Sequence, residues 1–314
     1  MRTPEPSLEW DITSKCNYHC SYCIQKEYQL QVSEHCADPT VDAILELLPT
    51  LPGQWLIKLM GGEPMIHPRF YEVSQRIAGM GHQIGMTTNF SLPWRRIEQF
   101  LDATGDKLQY VTASLHLEQI KSLEQFIEKA MAFNAHKQPT TRLLVTSVCL
   151  DENFELLKEI ALKFEDAGVK FAFQALKMDG KYLPYSNPEI EPYLKGRLTD
   201  NTENIRGMNL YGTMCHTGEL FFRITVSGDV IRCYNPQPLS YLGNITAGTF
   251  EPFGKPKPCL SAQCTCTVPA NRGMIMFGQQ ASKPEIAAAQ VEGWLRNFRV
   301  RLARKTSKPD SPSS

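Results

Sequence analysis

Long apolar runs are missing from this chain of 314 residues. No stretch approaches the roughly 20 apolar residues that a helix needs to span a bilayer. A charge excess is missing as well. The 33 Lys and Arg are matched by 33 Asp and Glu, so no strong field draws nucleic acid or an anionic surface. Residues 1–9 contain two prolines and no apolar core, which excludes a secretory signal there. These absences lead us to expect a cytoplasmic protein with neither a membrane nor a nucleic-acid partner. Thiols stay reduced in that compartment, so the ten cysteines argue for metal ligation over disulfides.

The cysteines are grouped. Three of them, Cys16, Cys20 and Cys23, fall in Cys-Asn-Tyr-His-Cys-Ser-Tyr-Cys, directly after the strand-like run Leu8–Thr13. Five more lie at Cys215, Cys233, Cys259, Cys264 and Cys266, while Cys36 and Cys149 stand apart. Cys149 lies in an apolar strand and reads as a small buried hydrophobe. A cubane iron–sulfur cluster normally takes four thiolates, so three on one loop leave an iron open to another ligand. The same spacing also suits three ligands of a zinc site, with His19 or a remote residue as the fourth, or a redox thiol loop. His19 is expected to point away for lack of room.

From Ser7 to Lys177 strand and helix signals alternate. Strand-like runs are Leu8–Thr13, Trp55–Met60, Gln83–Thr88, Gln109–Leu115, Arg142–Leu150 and Lys170–Leu176. Helical patterns between them are Val41–Leu51, Phe70–Met80, Trp94–Ala103, Leu123–Phe133 and Phe154–Phe164. The alternation predicts an α/β fold with a parallel sheet. Polar candidates recur just past the strands: Gly61-Gly62-Glu63-Pro64 after the second, Thr88-Asn89 after the third, Ser114 and His116 at the fourth, Gln174 at the sixth. Strand C-terminal ends are where such sheets place ligands. His67 and Pro68 read as the start of a helix. His116 reads equally as a substrate-side base or as a satisfied barrel histidine.

Beyond Met178 the signals change. Met178–Pro192 is rich in Gly, Pro, Tyr and Asn and reads as a linker or a loop over the barrel mouth. Phe221–Val226 and Val230–Tyr234 flank Ser227-Gly228-Asp229 and predict a hairpin. A helix is expected near Pro284–Arg304, its apolar face Val291, Trp294, Leu295, Phe298 and Leu302 docked on the core. The polar tail 305–314 reads as disordered.

The cysteine triad followed by Gly61-Gly62-Glu63-Pro64 resembles the radical S-adenosylmethionine (SAM) superfamily. That resemblance implies a partial barrel of six β/α units over residues 1–180, open on one side. It implies a [4Fe–4S] cluster on Cys16, Cys20 and Cys23, with SAM chelated to the open iron through its amino and carboxylate groups. Gly61, Gly62, Glu63 and Pro64 would hold the SAM ammonium, with the Glu63 carboxylate hydrogen-bonded to it. Tyr22 would pack near the adenine, and Thr88, Asn89 and Ser114 would reach the ribose or the methionine carboxylate. Reductive cleavage of SAM would give a 5′-deoxyadenosyl radical that takes a hydrogen atom from the substrate. Catalytic candidates are His116 and Gln174.

Cys215 and Cys233, spaced Cys-x12-Gly-x4-Cys, resemble the opening of SPASM and twitch modules. After a linker at 181–210, residues 211–304 would then form a small hairpin, loop and helix domain carrying a second [4Fe–4S] cluster on four of the five cysteines. Five cysteines are fewer than a full SPASM module uses, and Cys-x4-Cys-x-Cys is not its usual closing spacing. A structural zinc remains the alternative for this group. Relatives of this type modify peptides or proteins by crosslinking, epimerisation or oxidation; others dehydrogenate small molecules such as aminoglycoside precursors. Only 15 residues precede Cys16, so no peptide-binding domain is expected there. The implied partners are a peptide or small-molecule substrate and a reductant such as flavodoxin or ferredoxin.

Overall fold

The computed structural model describes residues 3–24, 33–178, 181–194, 208–234, 237–262, 264 and 271–306. Cys266 and residues 307–314 lie outside them. Six parallel strands run side by side in chain order: β1 (Ser7–Thr13), β2 (Leu56–Gly61), β3 (Gln83–Thr88), β4 (Leu108–Leu115), β5 (Arg142–Val148) and β6 (Lys170–Gln174). Between them come α1 (Asp38–Leu47), α2 (Phe70–Gly79), α3 (Trp94–Thr104), α4 (Leu123–His136) and α5 (Phe154–Asp166).

Strand alternation sorts the side chains onto two faces. On β1, Leu8, Trp10 and Ile12 enter the main apolar core with Ile57, Leu59, Val111, Ala113 and Val145 from neighbouring strands. The opposite face of β1 carries Glu9 and Asp11, both buried. Glu9 meets Lys58 of β2 at 2.8 Å. Asp11 is gripped by Arg223, whose Nε donates at 2.6 Å.

Arg223 arrives from the C-terminal part of the chain. There the structure has β7 (Lys177–Met178), β8 (Lys181–Tyr182), α6 (Ile190–Leu194), β9 (Thr213–Cys215), β10 (Phe221–Ile224), β11 (Asp229–Ile231), β12 (Tyr241–Asn244), β13 (Lys257–Pro258), β14 (Ile275–Gln280) and α7 (Lys283–Thr306). The expected hairpin is present as β10 and β11, shorter than the apolar runs suggest. It is not a separate sheet. β10 pairs in parallel with β1, and one nine-stranded sheet runs β12-β11-β10-β1-β2-β3-β4-β5-β6.

Two expectations change. The segment read as a linker packs on the barrel: Ile190 and Leu194 are buried, and Tyr185 donates to the Cys149 carbonyl at 3.0 Å. Local polarity and turn residues do not reveal such anchors. On α7 the docked face is the reverse of the expected one. Val291, Trp294, Leu295 and Phe298 are exposed, whereas Ala289 and Gly293 face the body. A Cβ at Gly293 would lie 2.5 Å from the Pro238 carbonyl, so the contact needs a small residue. Close backbone approach selects the docking face here, and apolar periodicity does not register it.

Candidate functional site

The ends of β1 and β2 lie side by side in close contact. Gly62 N–H donates to the Thr13 carbonyl at 2.8 Å and Glu63 N–H to the Lys15 carbonyl at 2.9 Å. A Cβ on Gly61 would lie 1.9 Å from the Thr13 oxygen, and one on Gly62 would lie 1.9 Å from the Lys15 oxygen. Gly61 also holds φ at 129°, open in practice only to glycine. The two glycines thus clamp the chain that leads into Cys16.

Glu63 is buried, and its carboxylate accepts from Thr88 Oγ1 at 2.9 Å, Asn89 N–H at 2.7 Å and Met65 N–H at 3.2 Å. It therefore ties the end of β2 to the end of β3. Three donors leave the carboxylate with acceptor capacity to spare. Pro64 opens a single 3₁₀ turn, Pro64–Ile66. Burial pushes the Glu63 carboxyl up to about 7. A group raised on folding holds a proton that the unfolded carboxyl has lost, so its contribution disappears as pH rises through the folded value. We expect the metal-free protein to lose on the order of 3 kcal/mol from this group between about pH 5 and 7. Glu63→Gln flattens that part of the profile, as read from denaturant midpoints.

Thr88 and Asn89 make structural contacts of their own. The Thr88 hydroxyl donates to Glu63 and accepts from Phe90 N–H at 3.1 Å. Its register partner Ala113 belongs to the apolar core, which places Thr88 on the helix-facing side of the sheet. Asn89 organises the cysteine loop: its Nδ2 donates to Asn17 Oδ1 at 2.9 Å and lies 3.7 Å from Cys16 Sγ. Phe90 follows with φ of 58°, a strained value for a bulky residue. Lys129 fastens that turn by donating to the Phe90 and Leu92 carbonyls, each at 2.8 Å.

Cys16, Cys20 and Cys23 lie on one side of this clamp. Burial, then the neighbouring Cys23, Glu118 and Cys16, push the Cys20 thiol up to about 12. The thiols are close enough to oppose one another's ionisation, the arrangement a bound cation would relieve. His19 is exposed, as expected, and only its backbone is engaged, donating to Gln119 at 2.9 Å. Cys36 is buried in the apolar core and offers no fourth thiolate. Among the described residues no three Cys, His, Asp or Glu side chains stand as a formed metal centre.

Past β4, Tyr22 stacks on His116 with ring centroids 5.9 Å apart, its hydroxyl 3.4 Å from Nδ1. Burial pushes the His116 imidazole down to about 4, so it is neutral at physiological pH and a weak base. Glu118 and Gln119 brace the cysteine loop from here; Ser21 N–H donates to Glu118 at 2.5 Å. Sequence reasoning missed both, although they follow a strand end like the other candidates. Ser114 is on the inner face, paired in register with Thr146. Gln174 is exposed at the end of β6, opposite Val148.

The C-terminal cysteines also converge. Cys215 is the last residue of β9, held between β13 and β14, and Cys259 follows β13 directly. Cys233 follows β11. Together with Cys264 these line one cleft, beside Thr217 and Gln237. The cleft reaches the barrel through Tyr234, whose hydroxyl donates to Met60 Sδ at 3.3 Å, one residue before Gly61.

Residues 10–138 match the family model of the radical SAM superfamily. The chain carries a radical SAM domain. The superfamily implies SAM and a [4Fe–4S] cluster. Three thiols on one loop, with Cys36 buried apart from them in the core, fit such a cluster with one iron left open.

Among curated proteins, the tungsten-containing aldehyde ferredoxin oxidoreductase cofactor-modifying protein of Pyrococcus furiosus is 26% identical over 183 residues, covering 52% of this chain and 49% of that one. A GTP 3′,8-cyclase of Stenotrophomonas maltophilia is 30% identical over 122 residues, covering 38% and 37%. The chain thus spans half or less of the length of these relatives. Among solved structures, anSMEcpe with bound AdoMet and Kp18Cys peptide overlays at a TM-score of 0.56, with 18% identity and coverage of 78% and 79%. Streptococcus suis SuiB bound to its precursor peptide SuiA overlays at 0.52, with 14% identity and coverage of 73% and 59%. These overlays share the radical SAM fold of the central α/β sheet.

Among the described residues no helix is long and apolar enough to cross a membrane.

Proposed function

We propose that this radical SAM chain reductively cleaves SAM and abstracts a hydrogen atom from a carbon of a peptide or protein substrate. A [4Fe–4S] cluster held by Cys16, Cys20 and Cys23 supplies the low-potential electron and an iron site for SAM. The Gly61-Gly62 clamp sets where the cysteine loop stands, and Glu63 positions the Asn89 turn that braces it. Tyr22, stacked on His116, offers an aromatic face beside the loop. Cys215, Cys233, Cys259 and Cys264 hold a second centre.

The observation that carries the substrate class is charge pairing on the inner face of the sheet. Burial works to raise the Glu9 carboxyl, but Lys58, Tyr234 and Arg223 together outweigh it and hold Glu9 below its ordinary range. Arg223 is taken by Asp11, and Arg272 pairs with Glu5 at 2.7 Å. A nucleoside triphosphate such as GTP needs unpaired cations to receive its phosphates. These three cations are already paired, which favours an uncharged substrate portion. Peptides in two overlaid structures suit that reading.

The test is anaerobic SAM cleavage by the reconstituted protein with a strong reductant, given a peptide library, amino sugars or GTP. We expect only peptide to raise 5′-deoxyadenosine yield and to return with altered mass. Turnover of GTP or of the sugars instead would end the peptide reading.

A further inference from the structure

Arg232 is fully buried, and its guanidinium meets only neutral groups. Nε donates to the Thr217 carbonyl and to Thr217 Oγ1, both at 2.9 Å. The terminal nitrogens donate to the carbonyls of Pro258 at 3.0 Å and Lys257 at 2.8 Å. Among the described residues no carboxylate pairs with it. Those of Glu292 and Glu251 go to Lys257 and Arg296. An uncompensated buried charge costs several kcal/mol, so such a residue points to an anion that completes the site.

The groups around Arg232 lead to the four-cysteine cleft. Cys233 is its chain neighbour, and Pro258 precedes Cys259. Thr217, whose oxygen accepts from Arg232, turns its own hydrogen toward Cys215 Sγ at 3.4 Å. Gln237 adds a second fixed donor. Its Oε1 accepts from Leu260 N–H at 2.9 Å, which obliges its NH₂ group to face Cys233 Sγ at 3.2 Å. Two oriented donors therefore reach sulfur, and the Arg232 charge acts on the neighbouring Cys259 thiol.

We propose that Arg232, Gln237 and Thr217 form the counter-charge and hydrogen-bond shell of an anionic centre in this cleft, raising its reduction potential. A cubane on four thiolates is a dianion that becomes more negative when reduced. Nearby positive charge and hydrogen bonds to its sulfurs favour that reduced state. The inference rests on the reading of the cleft as an iron–sulfur site, and the shell distinguishes a redox-poised centre from a structural staple.

The experiment begins with iron, sulfide and zinc analysis of the anaerobically reconstituted full chain. A redox titration follows, monitored by electron paramagnetic resonance; added SAM marks the signal of the N-terminal cluster and leaves that of the cleft. Arg232→Gln and Gln237→Leu should each make the cleft centre about tenfold harder to reduce, equivalent to about 59 mV for one electron. Arg232→Lys should keep most of the parent's midpoint. An unchanged midpoint in Arg232→Gln would overturn the inference. Should that variant fail to load, unchanged midpoints in both Gln237→Leu and Thr217→Val would do so. Zinc, or no metal, in the cleft of the parent overturns the underlying reading instead.

Discussion

With Cys16, Cys20 and Cys23 all changed to alanine, 5′-deoxyadenosine formation from SAM should fall to the protein-free background. Iron should drop from about eight to about four atoms per chain, the content of one cubane. A Cys215→Ala, Cys259→Ala double variant supplies the opposite control, losing the other half of the iron while still cleaving SAM. The two outcomes separate because the two cysteine groups sit on different supports. The first follows the paired ends of β1 and β2, whereas Cys215 and Cys259 of the second sit on the small sheet of β9, β13 and β14. Equal yields from the parent and the triple variant would remove the basis for the proposed chemistry.

Gly62→Ala should be nearly as damaging without removing any ligand. Its new Cβ would meet the Lys15 carbonyl carbon at 2.4 Å as well as the oxygen, and backbone of this kind cannot swing aside. The loop bearing Cys16 must shift instead, and a shift of about 1 Å in a positioned group can cost about a hundredfold in rate. We expect SAM cleavage to fall by at least about that factor, with far-ultraviolet circular dichroism unchanged. Gly79→Ala in α2 is the matched control, because no neighbouring atom lies within 4 Å of its Cβ. That change should be neutral or slightly stabilising. Full activity in Gly62→Ala would show that the clamp is dispensable.

Much of this site was legible because its chemistry is local in the chain. The six β/α repeats, the cysteine triad and the Gly-Gly-Glu-Pro turn each fit within a short window, and periodicity places them at strand ends. What was not legible depends on partners far away in sequence. Nothing around Thr88 announces that its hydroxyl holds Glu63, 25 residues earlier. Nothing around Phe221 announces that β10 lies beside β1 and delivers Arg223 to Asp11, 212 residues away. Arg232 does not stand out in the sequence, because a lone arginine in a hairpin is unremarkable until its burial and its neutral partners are known. The orientation of α7 turned on Gly293, which an apolar-periodicity reading treats as a gap.

The parallel seam between β1 and β10 bears on how the polypeptide matures. Until residues 221–224 have left the ribosome, β1 presents one row of unsatisfied amides and carbonyls, along with an Asp11 carboxylate that lacks its guanidinium. Nascent chains halted near residue 180 should therefore be sticky and prone to self-pairing. Iron delivery to the first cysteine trio has reason to wait until the second half of the molecule has closed that flank.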